Sequence, residues 1–345
     1  MALSGRRIEW RPSPGHSGSK SAFTYSRLGW DDKRLMITTV TLNAAIDKTY
    51  YLPAFPLGKV SRVQRFHAAP GGKGINVAKV VTQLGIPVIA TGFTGGMNGE
   101  IIKQQLTQMG IAHDFVDVEG ESRICLNILD EGNGTSTELL EPGPTVSETA
   151  LKQMEEKVRE LAAKSRIVCF SGSLPAGAPK DYYVGLVRIA KEAGAYVILD
   201  ASGDALRLGI EAKPDMIKPN EEEVAALLGI EVSDEEALRT AVETLVQKYG
   251  MDRISVSLGG AGSLTAVKGS SYRVTTPKVD VVNTVGCGDS FVAGMAVSLA
   301  KGLSVEEGLA MASAAGTSNA MTDQAGQIDP VMFEELRQQV RIEQL

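Results

Sequence analysis

The stretch SRIVCFSGSLPAGAPKDYYVGLVRIAKEAGAYVILD, residues 165–200, contains two short apolar runs on either side of a helical pattern. RIVCFSG and AYVILD are rich in β-branched and apolar residues and end in Gly or Asp, whereas 179–193 carries apolar residues at helical spacing. Strand, helix, strand over this distance is the signature of a crossover between parallel strands. The alternation continues outward. A helix is predicted over 147–164, then come a strand at DMIKPN (215–220), helices over 221–228 and 234–249, a strand at RISVSLG (253–259), and helices over 286–301 and from 305 to about 320. Toward the start, MITTVTLNAAID reads as a buried strand ending in polar Asn43 and Asp47. INVAKVVTQLG reads as a helix stopped by Gly85, followed by the strand IPVIATGFTG, and IIKQQLTQMG with IAHDFVDV repeats that order. A mostly parallel sheet covered by helices accounts for this order. Two segments break it with short β-prone pieces and turns, approximately 48–67 and 113–141. They are expected to form a small β lid inserted into one α/β domain running over 36–345.

The 345 residues are 43% hydrophobic and 22% charged, enough for one large core. A net charge of -6 offers no long-range attraction to nucleic acid or an anionic membrane, and no apolar run approaches the roughly 20 residues of a membrane span. Cys125, Cys169 and Cys287 fit no disulfide or CxxC pattern, which points to a reducing, cytoplasmic setting. His16, His67 and His113 have no metal-ligand spacing and suit no Ser-His-Asp triad, so they read as structural or surface residues. Residues 1–35 are polar and turn-rich without the apolar segment of a secretory signal. They read as a disordered leader or extension, with Met36 as the functional start.

Three clusters can carry chemistry. PGGKGINVAKV (70–80) has glycines for close backbone approach, Lys73 as a cation and Asn76 as a hydroxyl partner. It is neither a Walker A loop nor a GxGxxG fingerprint, and alone it can be a helix-start turn. TVGCGDSFVAG (284–294) places Gly286, Cys287 and Gly288 at a helix start, where free amides hold an anion, with Asp289 in the first turn as a general base or a simple cap. Cys287 has no apparent base partner for covalent catalysis. IKPNEEE (217–223) has Asn220 and Glu223 at capping-box spacing, and the same groups with Lys218 can face nucleotide phosphates and a hydrated Mg²⁺.

Taken together, GGKGINVA and TVGCGDSFVAG, in this order and separation, resemble the PfkB carbohydrate kinases of the ribokinase-like superfamily over roughly 36–340. The resemblance implies a three-layer α/β core with a small β-sheet lid. It implies transfer of phosphate from ATP, with Mg²⁺, to a ketohexose monophosphate, tagatose 6-phosphate ahead of fructose 1-phosphate. It makes Asp289 the base and Gly286, Cys287 and Gly288 the anion hole, although the family often has Ala where Cys287 stands. It puts Asp47, Gly72 and Asn76 on the sugar, and Lys73 and Arg123 on the phosphate the substrate already bears. Lys218, Asn220, Ser257, Gly259, Gly260, Gly262 and Asn319 fall on the nucleotide side, with Glu223 reaching Mg²⁺ through water. It further implies a homodimer formed through the lid. Competing readings are a kinase for an unphosphorylated sugar or nucleoside and a non-catalytic nucleotide-binding protein. A NAD-dependent dehydrogenase is disfavoured by the missing fingerprint.

Overall fold

The computed structural model describes residues 36–345; the expected leader over 1–35 lies outside the described residues. The chain begins with β1 (Ile37–Thr41), β2 (Ala45–Leu52), β3 (Arg65–Gly71), α1 (Lys73–Gln83), β4 (Val88–Gly95), α2 (Gly96–Gln108), β5 (Ala112–His113) and β6 (Val116–Val118). It continues with β7 (Arg123–Asp130), β8 (Thr135–Leu140), α3 (Glu148–Ala162), β9 (Ile167–Ser171), α4 (Tyr182–Glu192), β10 (Tyr196–Asp200), α5 (Gly203–Gly209), β11 (Met216–Ile217), α6 (Glu221–Leu228) and α7 (Glu235–Tyr249). The last third holds β12 (Arg253–Ser257), β13 (Ser263–Val267), β14 (Ser270–Thr275), α8 (Cys287–Lys301), α9 (Val305–Ala320), α10 (Pro330–Gln339) and β15 (Arg341–Gln344).

The large sheet runs in the order β15-β14-β13-β12-β11-β10-β9-β1-β4-β5, with β6 also on β4. From β12 to β5 neighbouring strands are parallel, and β13 to β15 extend it antiparallel. Its strands are apolar on both faces because both faces are covered. In β9, Val168 and Phe170 join the core under α3, α4 and α7, while Ile167 and Cys169 join the core under α1, α8 and α9. This alternation makes the three layers predicted from the sequence. The small sheet has the order β3-β2-β7-β8, parallel only between β2 and β7. β5 and β6 pair with the large sheet, so of the 113–141 segment only the part from Arg123 onward joins the small one. Asp47 lies in β2, opposite Ala69 and Cys125, rather than at the end of β1.

Two local differences follow from the backbone. α2 begins at Gly96, whose φ of 62° reverses the chain directly after β4, five residues before its apolar pattern starts. The strand expected over 215–220 is regular only at Met216–Ile217; contact with β12 resumes at its far end, where Ser257 N donates to Pro219 O at 3.0 Å and Asn220 bridges Ser257.

Helices α8 and α9 cross with their backbones in contact: a Cβ on Gly294 would sit 2.7 Å from Ala312 Cα. Gly185 on α4 is exposed and has open space beside it. Gly294→Ala is therefore expected to destabilise by about 1–3 kcal/mol through overpacking, and Gly185→Ala to stabilise by about 0.5–1 kcal/mol through helix propensity. Urea denaturation of the two variants beside the wild type measures both signs.

Candidate active site

Two clefts meet at the start of α8. The first, about 430 Å³, is lined among others by Asp47, Lys73, Asn76, Arg123, Gly286 and Asp289. The second, about 550 Å³, is lined among others by Lys218, Ser257, Gly260, Gly262, Val279 and Phe291. Gly288 belongs to both walls.

The junction is built by glycines. Gly286 takes φ 85° as the residue before α8, and a Cβ there would lie 2.9 Å from Gly326 N and 3.0 Å from Ala325. No side chain among the described residues caps α8, so its opening amides are left for a ligand, and the helix dipole favours an anion there. One of the three expected donors is partly used: Cys287 N donates to Thr284 O at 3.3 Å. A Cβ on Gly288 would come within 3.3 Å of Lys218 Nζ, so the glycine lets this cation lie close to the helix opening. The Cys287 thiol is half-buried and burial pushes its pKa up, which suits a spectator.

Asp289 is buried in the first turn of α8. Burial raises its pKa to about 6, while Lys73, the Asn76 hydrogen bond and Lys218 pull it down and Asp200 pushes it up. Asn76 Nδ2 donates to Asp289 Oδ2 at 3.0 Å, joining α1 to α8. Lys73 Nζ donates to Asp200 at 3.3 and 3.4 Å, and Lys218 Nζ lies 3.5 Å from the same carboxylate. Asp200, at the end of β10, is fully enclosed, and its two lysines hold its pKa low against burial. The row Lys73–Asp200–Lys218 runs from the first cleft to the second.

In the first cleft, Gly71 exists for Asp47: a Cβ there would overlap the Asp47 carboxyl at 2.0 Å. Burial raises the Asp47 pKa against Lys79, the Gly72 amide and Arg123. Gly72 has φ 97° and packs on Thr41. Arg123 opens β7 and is held by backbone oxygens, its Nε donating to Asn43 O at 3.2 Å and an Nη to Glu141 O at 3.4 Å, with its charge felt by the Asp47 carboxyl. Gly143 (φ 83°) fits the 141–144 turn against Asn43 Oδ1.

In the second cleft, Ser257 ends β12 and Gly259, Gly260 and Gly262 form the turn after it, and Gly262 (φ 101°) lies against Val274 O where a Cβ would be 2.1 Å away. Asn220 and Glu223 stand beside it in a complete capping box: Glu223 N donates to Asn220 Oδ1 at 2.8 Å and Asn220 N donates to Glu223 Oε2 at 2.9 Å. They line neither cleft directly. Asn319 is fully buried and does not line the second cleft; Ser313, Gly316, Thr317 and Ala320 are the α9 residues there. Its Oδ1 accepts from Ser290 Oγ and Gly326 N, and its Nδ2 donates to Val285 O, so it braces the turn before α8. Among the described residues no cluster of three His, Cys, Asp or Glu suits a metal. Glu223, half-buried in the first turn of α6, is a carboxylate of the kind that meets a hydrated Mg²⁺ as an outer partner.

Sequence reasoning missed Asp200, Lys79 and His67. Lys79 and His67 line the first cleft, and Asp200 binds the lysines below it. A lone Asp ending the strand AYVILD was the only available signal for Asp200.

Two clefts joined at an uncapped helix start, with a buried carboxylate between them, have the geometry of a group-transfer enzyme. The sequence pattern described as pfkB family carbohydrate kinase matches residues 40–330, and the chain belongs to that family. It is 39% identical over 310 residues to a tagatose-6-phosphate kinase of Staphylococcus epidermidis, covering 89% of this chain and 99% of that protein. Among solved structures, phosphofructokinase-2 from Escherichia coli in complex with potassium is 29% identical with a TM-score of 0.84 over 88% of this chain and 98% of the other. The tetrameric inhibited form of the same enzyme is 29% identical with a TM-score of 0.82 over the same shares.

Because the folded state raises the Asp289 pKa from 3.8 to about 6, the native protein binds the proton more tightly than the unfolded chain. Stability contributed here is present below pH about 4 and declines as pH rises toward about 6. Asp289→Asn removes this dependence, so its stability should gain on the wild type across that window and stay level above it. Denaturation midpoints at pH 4, 5, 6 and 7 read the difference; an Asn variant losing ground as pH rises would contradict the burial account.

Proposed function

We propose that this protein transfers the γ-phosphate of ATP to a ketohexose monophosphate, with tagatose 6-phosphate as acceptor and tagatose 1,6-bisphosphate as product. The observation that carries transfer is Asp289, a buried carboxylate at an uncapped helix start between two clefts. The acceptor is assigned from the likeness to tagatose-6-phosphate kinase along 89% of the chain.

In this reading the sugar occupies the first cleft with Asp47 and Asn76 on its hydroxyls, and Arg123 holds the phosphate it already bears. ATP lies in the second cleft along Ser257–Gly262. Asp289 accepts the proton of the attacking hydroxyl as that oxygen bonds the γ-phosphorus and the bond to ADP breaks in line. The amides opening α8 stabilise charge on the moving phosphoryl group. Lys73 and Lys218, both tied to Asp200, support this same group. In this reading Lys73 serves the phosphate in transfer rather than the one already on the sugar, a role supported by the Asp200 carboxylate it shares with Lys218. Mg²⁺ arriving with ATP supplies charge neutralisation on the phosphates.

A homodimer formed through the small sheet is supported by the exposed apolar side chains Leu57, Val60, Phe66 and Leu139 on or near it. Unpaired Cys125, Cys169 and Cys287 support a cytoplasmic setting, and among the described residues no helix is long and apolar enough to cross a membrane.

The test is a product-resolved assay with Mg-ATP on tagatose 6-phosphate, fructose 1-phosphate and unphosphorylated tagatose. Tagatose 6-phosphate should give the highest kcat/KM; a higher value for fructose 1-phosphate would reassign the acceptor. Asp289→Asn should lower kcat by about 10²-fold or more, and near-normal turnover would remove it as the base. Arg123→Ala should lower kcat/KM for the sugar phosphate by about 10²-fold, as expected for losing a charge-assisted contact of roughly 3 kcal/mol. An equal loss on unphosphorylated tagatose would refute the phosphate clamp.

A further inference from the structure

Lys79 lies on α1 one turn after Asn76, and its ammonium is buried. The enclosure is specific. A Cβ on Gly326 would lie 3.0 Å from both Lys79 Cδ and Asn76 Cα, so the loop after α9 closes over the lysine stem. The same loop is fastened to α1 by Gln83, whose Nε2 donates to Gly326 O at 2.8 Å and whose Oε1 accepts from Ile328 N at 3.0 Å. Within this enclosure Lys79 Nζ donates to Asn76 Oδ1 at 3.2 Å and to Ala325 O at 3.4 Å. The charged and titratable groups facing it are Asp47 from β2, His67 from β3 and Asp289 from α8.

An asparagine amide has an acceptor end and a donor end, and a cation bonded to one end dictates which way it points. With Lys79 on Oδ1, Asn76 must turn Nδ2 toward Asp289, where it donates at 3.0 Å. We propose that Lys79 is a positioning residue for phosphoryl transfer: it fixes the Asn76 amide so that the Asp289 carboxylate is held as an ionised acceptor aimed at the cleft. Without the ammonium the amide is free to rotate half a turn and offer Oδ1 to Asp289, an arrangement that suits only the protonated acid. The lysine also joins two structural commitments, because its second bond to Ala325 O holds the loop against which Gly286 packs. Around Asp289 itself the remaining charged groups are Lys73 from α1, Asp200 from β10 and Lys218 after β11.

The inference rests on the proposed function only in taking Asp289 as the proton acceptor. Its test uses the full chain with Lys79→Met and Lys79→Arg. Aspartate labelled with ¹³C at the side-chain carboxyl, with the Asp289 signal assigned by its loss in Asp289→Asn, reports that group's titration with neither substrate present. In Lys79→Met the titration should move up by about one pH unit. The acid limb of kcat/KM should move with it, kcat should fall about tenfold or more, and KM for ATP should stay within about twofold. Lys79→Arg keeps a donor for Asn76 Oδ1 and should hold the Asp289 titration within about half a unit of the wild type. A lower melting temperature in Lys79→Met with the Asp289 titration unmoved would overturn the proposal. Should Lys79→Met not fold, a titration displaced by about one unit in Lys79→Arg would overturn it equally. Failure of the wild type to phosphorylate any sugar phosphate would refute the proposed function, while the carboxyl titration would still decide the role of Lys79.

Discussion

Much of the structure around the clefts answers one requirement: the carboxylate of Asp289 has to be out of water and still able to ionise. Burial alone drives a carboxyl toward its neutral form. Here it raises the pKa to about 6 and no further, because Lys73, Lys218 and the Asn76 amide act against it. Those groups come from α1 and from the segment after β11, regions far apart in sequence. The fold brings them together by letting backbones touch. Gly286 seats against Ala325 and Gly326, Gly326 against Asn76, and Gly71 under Asp47. A side chain at Gly71 would displace the Asp47 carboxyl, and one at Gly286 or Gly326 would force apart the loop and α1 that frame Asp289.

The large sheet supplies the other half of the arrangement. Thr41 ends β1, Ser171 ends β9, Asp200 ends β10, Lys218 follows β11 and Ser257 ends β12. In a parallel sheet these ends all point the same way, so five strands deliver polar groups to one edge while their apolar residues fill the layers behind. Asp200 gains most from this placement. It sits where a lysine from α1 and another from the neighbouring strand's exit both reach it. The result is a row of alternating charge between the two clefts, held by ion pairs within the protein, which suits the stabilisation of charge that develops during transfer.

How much of this was legible in the sequence depended on whether the signal was local. The parallel core was readable because β9 and β10 are apolar on both faces. The start of α8 was readable because Gly286, Gly288 and Asp289 form a contiguous motif. Asn220 and Glu223 could be read as a capping box from their spacing alone, and that box is present. Asp200 and Lys79 were not readable, since each has the look of an ordinary residue at a strand end or on a helix and owes its role to partners more than a hundred residues away, Lys73 for the first and Asp289 for the second. Asn319 was placed on the nucleotide side by the family resemblance, and a one-residue step around its helix separates the cleft wall at Ala320 from the interior bonds Asn319 makes. The hairpin of β13 and β14 was overlooked although Lys268 and Gly269, with φ 81° at the glycine, form a two-residue turn between β-prone runs.

In the proposed reaction phosphate passes in one step between ligands held in the two clefts, with Asp289 taking a proton and no protein group taking the phosphate. The stereochemical course at phosphorus tests this most directly, using ATP chirally labelled at the γ-phosphorus with oxygen isotopes and sulfur and tagatose 6-phosphate as acceptor. Inversion of configuration is the expected result. Net retention would require two displacements through a phosphorylated residue and would contradict the account.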